Sequence, residues 1–181
     1  MVKFRSVLKQ TCASAFILML MACNPNPTAT IETDKGKIVI ELYPDAAPET
    51  VKNFVTLIQQ GFYDELTFHR YAPNFVIQGG DPQGDGRGGP GWQIRGEFQD
   101  EELRAKMPLH EKGVVAMART PHPDSAGSQF YICLNPDANA YQHLNGQYTT
   151  FGRVVEGIAV VDQLRAGDQM NKVTTSAKNE K

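Results

Sequence analysis

The chain has 181 residues and a mass of 20.0 kDa, which suits one domain with a real hydrophobic core but not two full ones. Hydrophobic residues make up 41%, charged residues 21% and the formal net charge is −2, which excludes a wholly disordered chain, a coiled coil and a polytopic membrane protein. No basic excess exists to neutralise phosphates, so electrostatic nucleic-acid binding is excluded as a default.

The first segment, residues 1–22, opens with Lys3, Arg5 and Lys9 and continues as an uncharged, mainly apolar stretch from Ala13 to Ala22. Charge and apolarity are segregated end to end rather than by face, which predicts a secretory signal peptide; the apolar part is too short to span a bilayer as a helix. Leu20-Met21-Ala22-Cys23 resembles the lipobox of bacterial lipoproteins, with Met21 departing from the usual small residue. In that family the peptide is cut before the cysteine, whose thiol then carries a diacylglycerol. The resemblance implies an exported protein anchored through Cys23 to a bacterial membrane, facing the periplasm or the cell exterior. Residues 23–29 would be a lipidated tether, extended by Pro25 and Pro27. Cys12 would leave with the signal and Cys23 would be lipidated, so Cys133 remains the one thiol of the folded part and no internal disulfide is expected. His69, His110, His122 and His143 show no HExxH-like spacing, and no metal or other cofactor is expected.

The isomer of structure expected over residues 31–42 is a hairpin: Thr33-Asp34-Lys35-Gly36 is turn chemistry, and Ile38, Ile40 and Leu42 alternate with Lys37 and Glu41. Pro48 suits the first position of a helix, with Val51, Phe54, Val55 and Ile58 on one face and Gly61 as its stop. Short β-like runs follow at 66–71, 75–78, 114–118, 130–134 and 149–155, separated by Gly, Pro, Asn and Asp clusters. A second helix fits 156–166, a last strand 170–175 and a flexible tail 176–181. Many short strands with two helices predict a mainly β fold: a closed, eight-stranded antiparallel β-barrel capped by two α-helices.

Several local signals carry no chemistry. Gly84-Asp85-Gly86-Arg87-Gly88-Gly89 matches G-x-G-x-x-G, but its exit through Pro90-Gly91-Trp92 cannot open the helix that dinucleotide binding requires. Ser128 lies outside any G-x-S-x-G elbow. Cys133, among Tyr131, Ile132 and Leu134, is placed as a buried small hydrophobe. Asp100-Glu101-Glu102 is a solvated acidic turn without calcium-loop spacing.

Three segments carry the functional reading. They are Phe68-His69-Arg70-Tyr71-Ala72-Pro73-Asn74-Phe75-Val76-Ile77-Gln78-Gly79-Gly80-Asp81, then Gly113-Val114-Val115-Ala116-Met117-Ala118-Arg119, then Gly127-Ser128-Gln129-Phe130-Tyr131-Ile132. With Leu144-Asn145-Gly146 and Phe151-Gly152 downstream, residues 30–175 closely resemble the cyclophilin family of peptidyl-prolyl cis–trans isomerases. Such a domain rotates X–Pro bonds, whose resonance imposes a barrier of roughly 18–20 kcal/mol and uncatalysed times of tens of seconds. No bond need be made or broken, so the requirement is a surface that fits the twisted amide better than either planar form. Millisecond turnover needs roughly 6 kcal/mol. A fixed cation near the proline nitrogen and an apolar cup around the ring could supply it.

The resemblance places Arg70 as donor to the proline nitrogen and Gln78 as the group that orients it. It places Phe75, Val76, Tyr131 and Leu144 around the proline cup, and Ala118 with Gln129 in the peptide-binding floor. Strand parity agrees: Gln129 and Tyr131 share one face, while Phe130 and Ile132 take the other. Five positions depart from the family's eukaryotic pattern. Arg119 replaces an asparagine of the floor, His143 stands where the inhibitor-binding tryptophan is usual, Tyr148 where a histidine is common, and Tyr131 and Val76 replace Phe and Met. Weak cyclosporin binding is therefore expected. The partners implied are proline-containing unfolded or extended polypeptides met outside the cytoplasm, handled by a monomer that binds no nucleic acid. Two rivals are a proline-peptide-binding or chaperone module without turnover, and a barrel lipoprotein with a hollow interior for an apolar ligand.

Overall fold

A computed structural model describes residues 26–178. The signal segment 1–22 and Cys23 therefore lie outside the described residues. Strands β1 (Thr28–Thr33) and β2 (Gly36–Leu42) form the expected hairpin, and helix α1 (Pro48–Gln59) follows. Strands β3 (Arg70–Ala72) and β4 (Val76–Gly79) make a second hairpin. After a long loop come the short helix α2 (Glu101–Arg104), then β5 (Val114–Met117), β6 (Phe130–Cys133), β7 (Thr150–Glu156), helix α3 (Ile158–Gln163) and β8 (Lys172–Thr175). Two 3-10 turns, Glu97–Gln99 and Ala138–Tyr141, complete the described elements.

All eight strands lie in one antiparallel sheet of order β3-β4-β6-β5-β7-β2-β1-β8. The closed barrel expected from the sequence is corrected here: β3 and β8 are the two edges of an open, strongly curled half-barrel and do not pair. Between those edges run segments 65–68 and 167–170, joined by a single bridge, Thr67 to Gln169, and a few backbone hydrogen bonds. That contact takes up most of the predicted strand 66–71, of which only Arg70 and Tyr71 enter a ladder.

Helix α1 forms as predicted. Pro48 opens it, and the N–H groups of Gly61 and Phe62 close it on the carbonyls of Ile58 and Leu57, with Gly61 at φ 69°. Its Phe54 meets the rings of Tyr63, Phe130 and Phe151 at centroid distances of 5.1–5.4 Å, which seats the helix against the inner face of the sheet. The second helix is shorter than 156–166. Gly157 sits in the left-handed region at φ 83°, where a Cβ would lie 2.2 Å from the Lys37 carbonyl, so the chain must turn there between β7 and α3. The tether also ends earlier than expected, because Thr28 and Ala29 pair with β2 and β8. At the other end Ser176 returns to β1, its N–H donating to the Thr28 carbonyl.

The inner face of the sheet packs Ile31, Ile38, Ile40, Ile77, Val115, Phe130, Ile132 and Phe151 into the main core, all essentially inaccessible to water. This filled interior excludes the hollow ligand-binding barrel raised above.

Candidate active site

Every second residue of β4, β5 and β6 points away from that core, and these residues build a second apolar cluster on the outer face. Val76, Ala116, Tyr131, Cys133, Tyr141 and Leu144 are its buried members. Phe75, Ala118 and Tyr148 pack partly buried against it. The register explains the assembly: Val76 faces Cys133, Gln78 faces Tyr131, and Ala116 faces Tyr131 from the other side. Side chains directly opposite in an antiparallel pair share a face, so the sheet itself brings Val76, Gln78 and Tyr131 together. The four residues predicted for the cup, Phe75, Val76, Tyr131 and Leu144, thus form one cluster.

The turn between β3 and β4 places Arg70 opposite Gln78; Asn74 supplies the left-handed residue of that turn at φ 55°. The exposed Arg70 Nη1 donates to Gln78 Oε1 at 3.2 Å, and Gln78 Nε2 donates to Gln129 Oε1 at 2.9 Å. Gln129 Nε2 in turn donates to the Gly86 and Gly88 carbonyls at 3.1 and 2.9 Å. Both ends of this relay have fixed polarity, since carbonyls only accept and a guanidinium only donates. The orientation of both amides follows from that, and the guanidinium is held without a carboxylate partner among the described residues.

The glycine-rich loop that ends the relay is itself anchored by Asp81. Its buried carboxylate accepts from the N–H groups of Gln83 and Gly86. Beyond Gln78 and Gln129 this loop borders a cavity of about 780 Å³, lined also by Arg87, Trp92, Arg119 and Ser128. The cavity lies beside the outer-face apolar cluster, touching it at Ala118.

Of the departing positions, Arg119 is the most firmly committed. Its guanidinium lies 4.6 Å from the Tyr148 ring centroid and 5.1 Å from that of Phe98. Its N–H groups donate to the carbonyls of Gln147, Thr120 and Pro121. The side chain therefore clamps the loop after β5 to the loop before β7, beside the outer-face apolar cluster. The exposed His143 stacks nearly parallel on Phe75 at 6.0 Å, and Tyr148 meets Tyr131 edge-on at 5.9 Å.

Several residues of the site had no sequence signal. His110, only 1% exposed, bonds Tyr131 Oη through Nε2 at 2.8 Å and Asn145 through Nδ1. Tyr141 stacks on Phe75 at 5.5 Å and donates to its carbonyl at 2.6 Å, fixing the strand entrance. Burial pushes the Cys133 thiol up to about 12, which leaves it an inert packing group, and raises Tyr141 to about 12 as well. Cys133 is buried as its apolar neighbours predict; nothing local points to His110 or Tyr141.

Comparison with known proteins decides the family. Residues 28–180 match the pattern of the cyclophilin type peptidyl-prolyl cis-trans isomerase/CLD family. The chain belongs to that family. It is 46% identical over 140 residues to peptidyl-prolyl cis-trans isomerase B of Bacillus subtilis, covering 77% of this chain and 91% of that one. It is 41% identical over 151 residues to a peptidyl-prolyl cis-trans isomerase of Helicobacter pylori, covering 82% and 86%. A solved cyclophilin-type isomerase of Cryptosporidium parvum superposes with a TM-score of 0.71 at 27% identity, over 84% of this chain and 98% of its own. The same isomerase, crystallised in the presence of the dipeptide Ala-Pro, gives 0.70 at 26% identity, over 83% and 99%. This cyclophilin is accordingly a peptidyl-prolyl cis-trans isomerase.

Proposed function

We propose that this cyclophilin isomerises X–Pro bonds without covalent chemistry, with Arg70 donating to the proline nitrogen as amide resonance is lost. Pyramidalisation of that nitrogen localises its lone pair, and a donor held in place stabilises the twisted state more than either planar state. Gln78 orients the guanidinium, Phe75, Val76, Tyr131 and Leu144 grip the pyrrolidine ring, and Ala118 with Gln129 floors the peptide groove. The observation that carries this reading is the relay from the loop carbonyls through Gln129 and Gln78 to Arg70, set beside an apolar cluster. Isomerisation of an Ala-Pro peptide tests it. Arg70→Ala is expected to lower kcat by about a hundredfold, the range for one preorganised donor, with a smaller change in KM. A variant as fast as the wild type would refute the donor role.

The clients on this reading are extended or unfolded proline-containing polypeptides outside the cytoplasm, and the working unit is a monomer. Support comes from the order of charged, apolar and small residues in 1–22 and from Cys23 immediately after it. Metabolic labelling with a radioactive fatty acid is expected to mark the wild type and not Cys23→Ser. Equal labelling of the two would remove the anchor.

A further inference from the structure

Behind the cup lies a polar network with no part in the donor relay. The backbone N–H of His110 is 2.8 Å from the Asn145 side-chain atom that also contacts Nδ1 at 2.9 Å. A backbone N–H can only donate, so that atom is the carbonyl oxygen Oδ1, and Nδ1 must then carry a proton to bond it. In the neutral imidazole Nε2 is consequently bare, and the Tyr131 hydroxyl at 2.8 Å donates to it. The phenol proton is thereby committed away from the groove.

We propose that His110, which touches no substrate, is a positioning residue for the isomerase reaction. As a neutral, Nδ1-protonated imidazole it fixes the Tyr131 ring that floors the proline cup and, through Asn145, the segment carrying Leu144. The inference rests on the placement of Tyr131 and Leu144 in the cup. It belongs to this chain in particular, because a phenylalanine at position 131 would offer His110 nothing to hold.

The surroundings make the network depend on the charge of His110. Tyr131 faces it from β6, Tyr141 and His143 from the 3-10 turn and the residues after it, and Tyr148 from the loop before β7, with Arg119 stacked on Tyr148. None is a carboxylate, and His143 opposes a positive charge on His110. Burial pushes His110 below the ordinary histidine value, outweighing the Asn145 bond, which raises it. It is therefore neutral at pH 7 and charges only on the acid side. Once charged, Nε2 becomes a donor, the phenol proton is driven from its acceptor, and an uncompensated charge lies under an apolar cup.

The test measures kcat and KM for an Ala-Pro peptide between pH 5 and 8 in the wild type, His110→Gln, His110→Leu and His110→Leu with Tyr131→Phe. The wild type is expected to lose affinity towards pH 5 through a rise in KM. Glutamine can accept from Tyr131 and donate to Asn145 but does not titrate, so His110→Gln should abolish the acid rise. His110→Leu should raise KM about tenfold at pH 7, the effect of one buried hydroxyl left without its acceptor, and much less in the Tyr131→Phe background. An acid rise that survives in His110→Gln, or an equal effect of His110→Leu in both backgrounds, overturns the proposal. Imidazole ¹⁵N shifts of the unmutated protein give an answer independent of variant folding: a proton on Nδ1 at pH 7 supports the network, one on Nε2 refutes it. Tyr131→Ala separates the two layers, since an unchanged KM there would refute the cup and not merely the role of His110.

Discussion

Replacing Gln129 by leucine tests whether the glycine-rich loop governs the position of Arg70. The leucine keeps the volume of the side chain and removes three hydrogen bonds: two to the carbonyls of Gly86 and Gly88 and one from Gln78. The first two hold the loop, but only the third bears on Arg70, whose guanidinium has Gln78 Oε1 as its one side-chain acceptor among the described residues. A half-buried hydrogen bond of this kind contributes about 0.5–1.5 kcal/mol net. Losing it, with the disorder passed on to Gln78, should weaken stabilisation of the twisted amide by about 1–2 kcal/mol, or about 5- to 30-fold in kcat. Peptide isomerisation at several substrate concentrations separates this from a loss of groove contact, which would raise KM. The reasoning also requires non-additivity: in the Arg70→Ala background Gln129→Leu should leave kcat where Arg70→Ala alone puts it, while any effect on KM persists. A single variant within twofold of the wild type, or a full further loss of kcat in the double variant, would show that the relay does not reach the guanidinium.

Three further outcomes are expected. Glu97, buried in its 3-10 turn, accepts from the N–H groups of Glu49 and Thr50 at 2.8 and 2.9 Å and so caps α1 from a distance; Glu97→Ala should destabilise the fold by about 2–4 kcal/mol in urea denaturation, since two N–H groups lose their acceptor. Burial alone would raise the Asp81 carboxyl, but its bonds from Gln83, Gly86 and Gly84 and the nearby His69 hold it below the usual carboxylate range. A carboxyl depressed by folding contributes stability above its unfolded pKa and loses that contribution as the pH falls, so the urea midpoints of wild type and Asp81→Asn should differ at pH 7 and converge below about pH 4. His143→Trp restores a larger ring and an N–H donor at the cup rim; calorimetry should find cyclosporin bound about tenfold more tightly, and unchanged binding would count against the placement of His143.

The legible parts of this fold are those written locally. Pro48, the spacing from Val51 to Ile58 and Gly61 specify α1, because a helix and its caps are made by neighbours in sequence. Parity likewise separates Tyr131 from Phe130 and Ile132, a division the two clusters reproduce, and puts Gln129 on the side of Gln78, which it bonds. Contacts between distant segments were not legible. Glu97 lies 47 residues from Thr50, so no pattern near either announces the cap. Counting strands gave their number but not whether β3 and β8 meet, which depends on the path of 65–68. Gly157 reads equally as a helix residue or a turn until the approach of the Lys37 carbonyl is known. The commitment of Arg119 was hidden for a simpler reason: its partners are backbone carbonyls, which every residue possesses.

The sheet places the core and the cup on opposite faces of the same three strands, and this separation explains why the site can depart from the family's eukaryotic pattern without disturbing the core. Those departures are not independent of one another. Tyr131 brings a buried hydroxyl that needs His110 as acceptor; Tyr148 provides an edge for Tyr131 and a face for Arg119; Arg119 ties the loop after β5 to the loop before β7; His143 covers Phe75. Reverting one member alone removes a partner from another, as Tyr131→Phe would leave the bare His110 Nε2 without its donor. The outer face therefore has to be treated as one set of coupled contacts, in which a single back-substitution measures the loss of a neighbour as well as the gain of the more familiar residue.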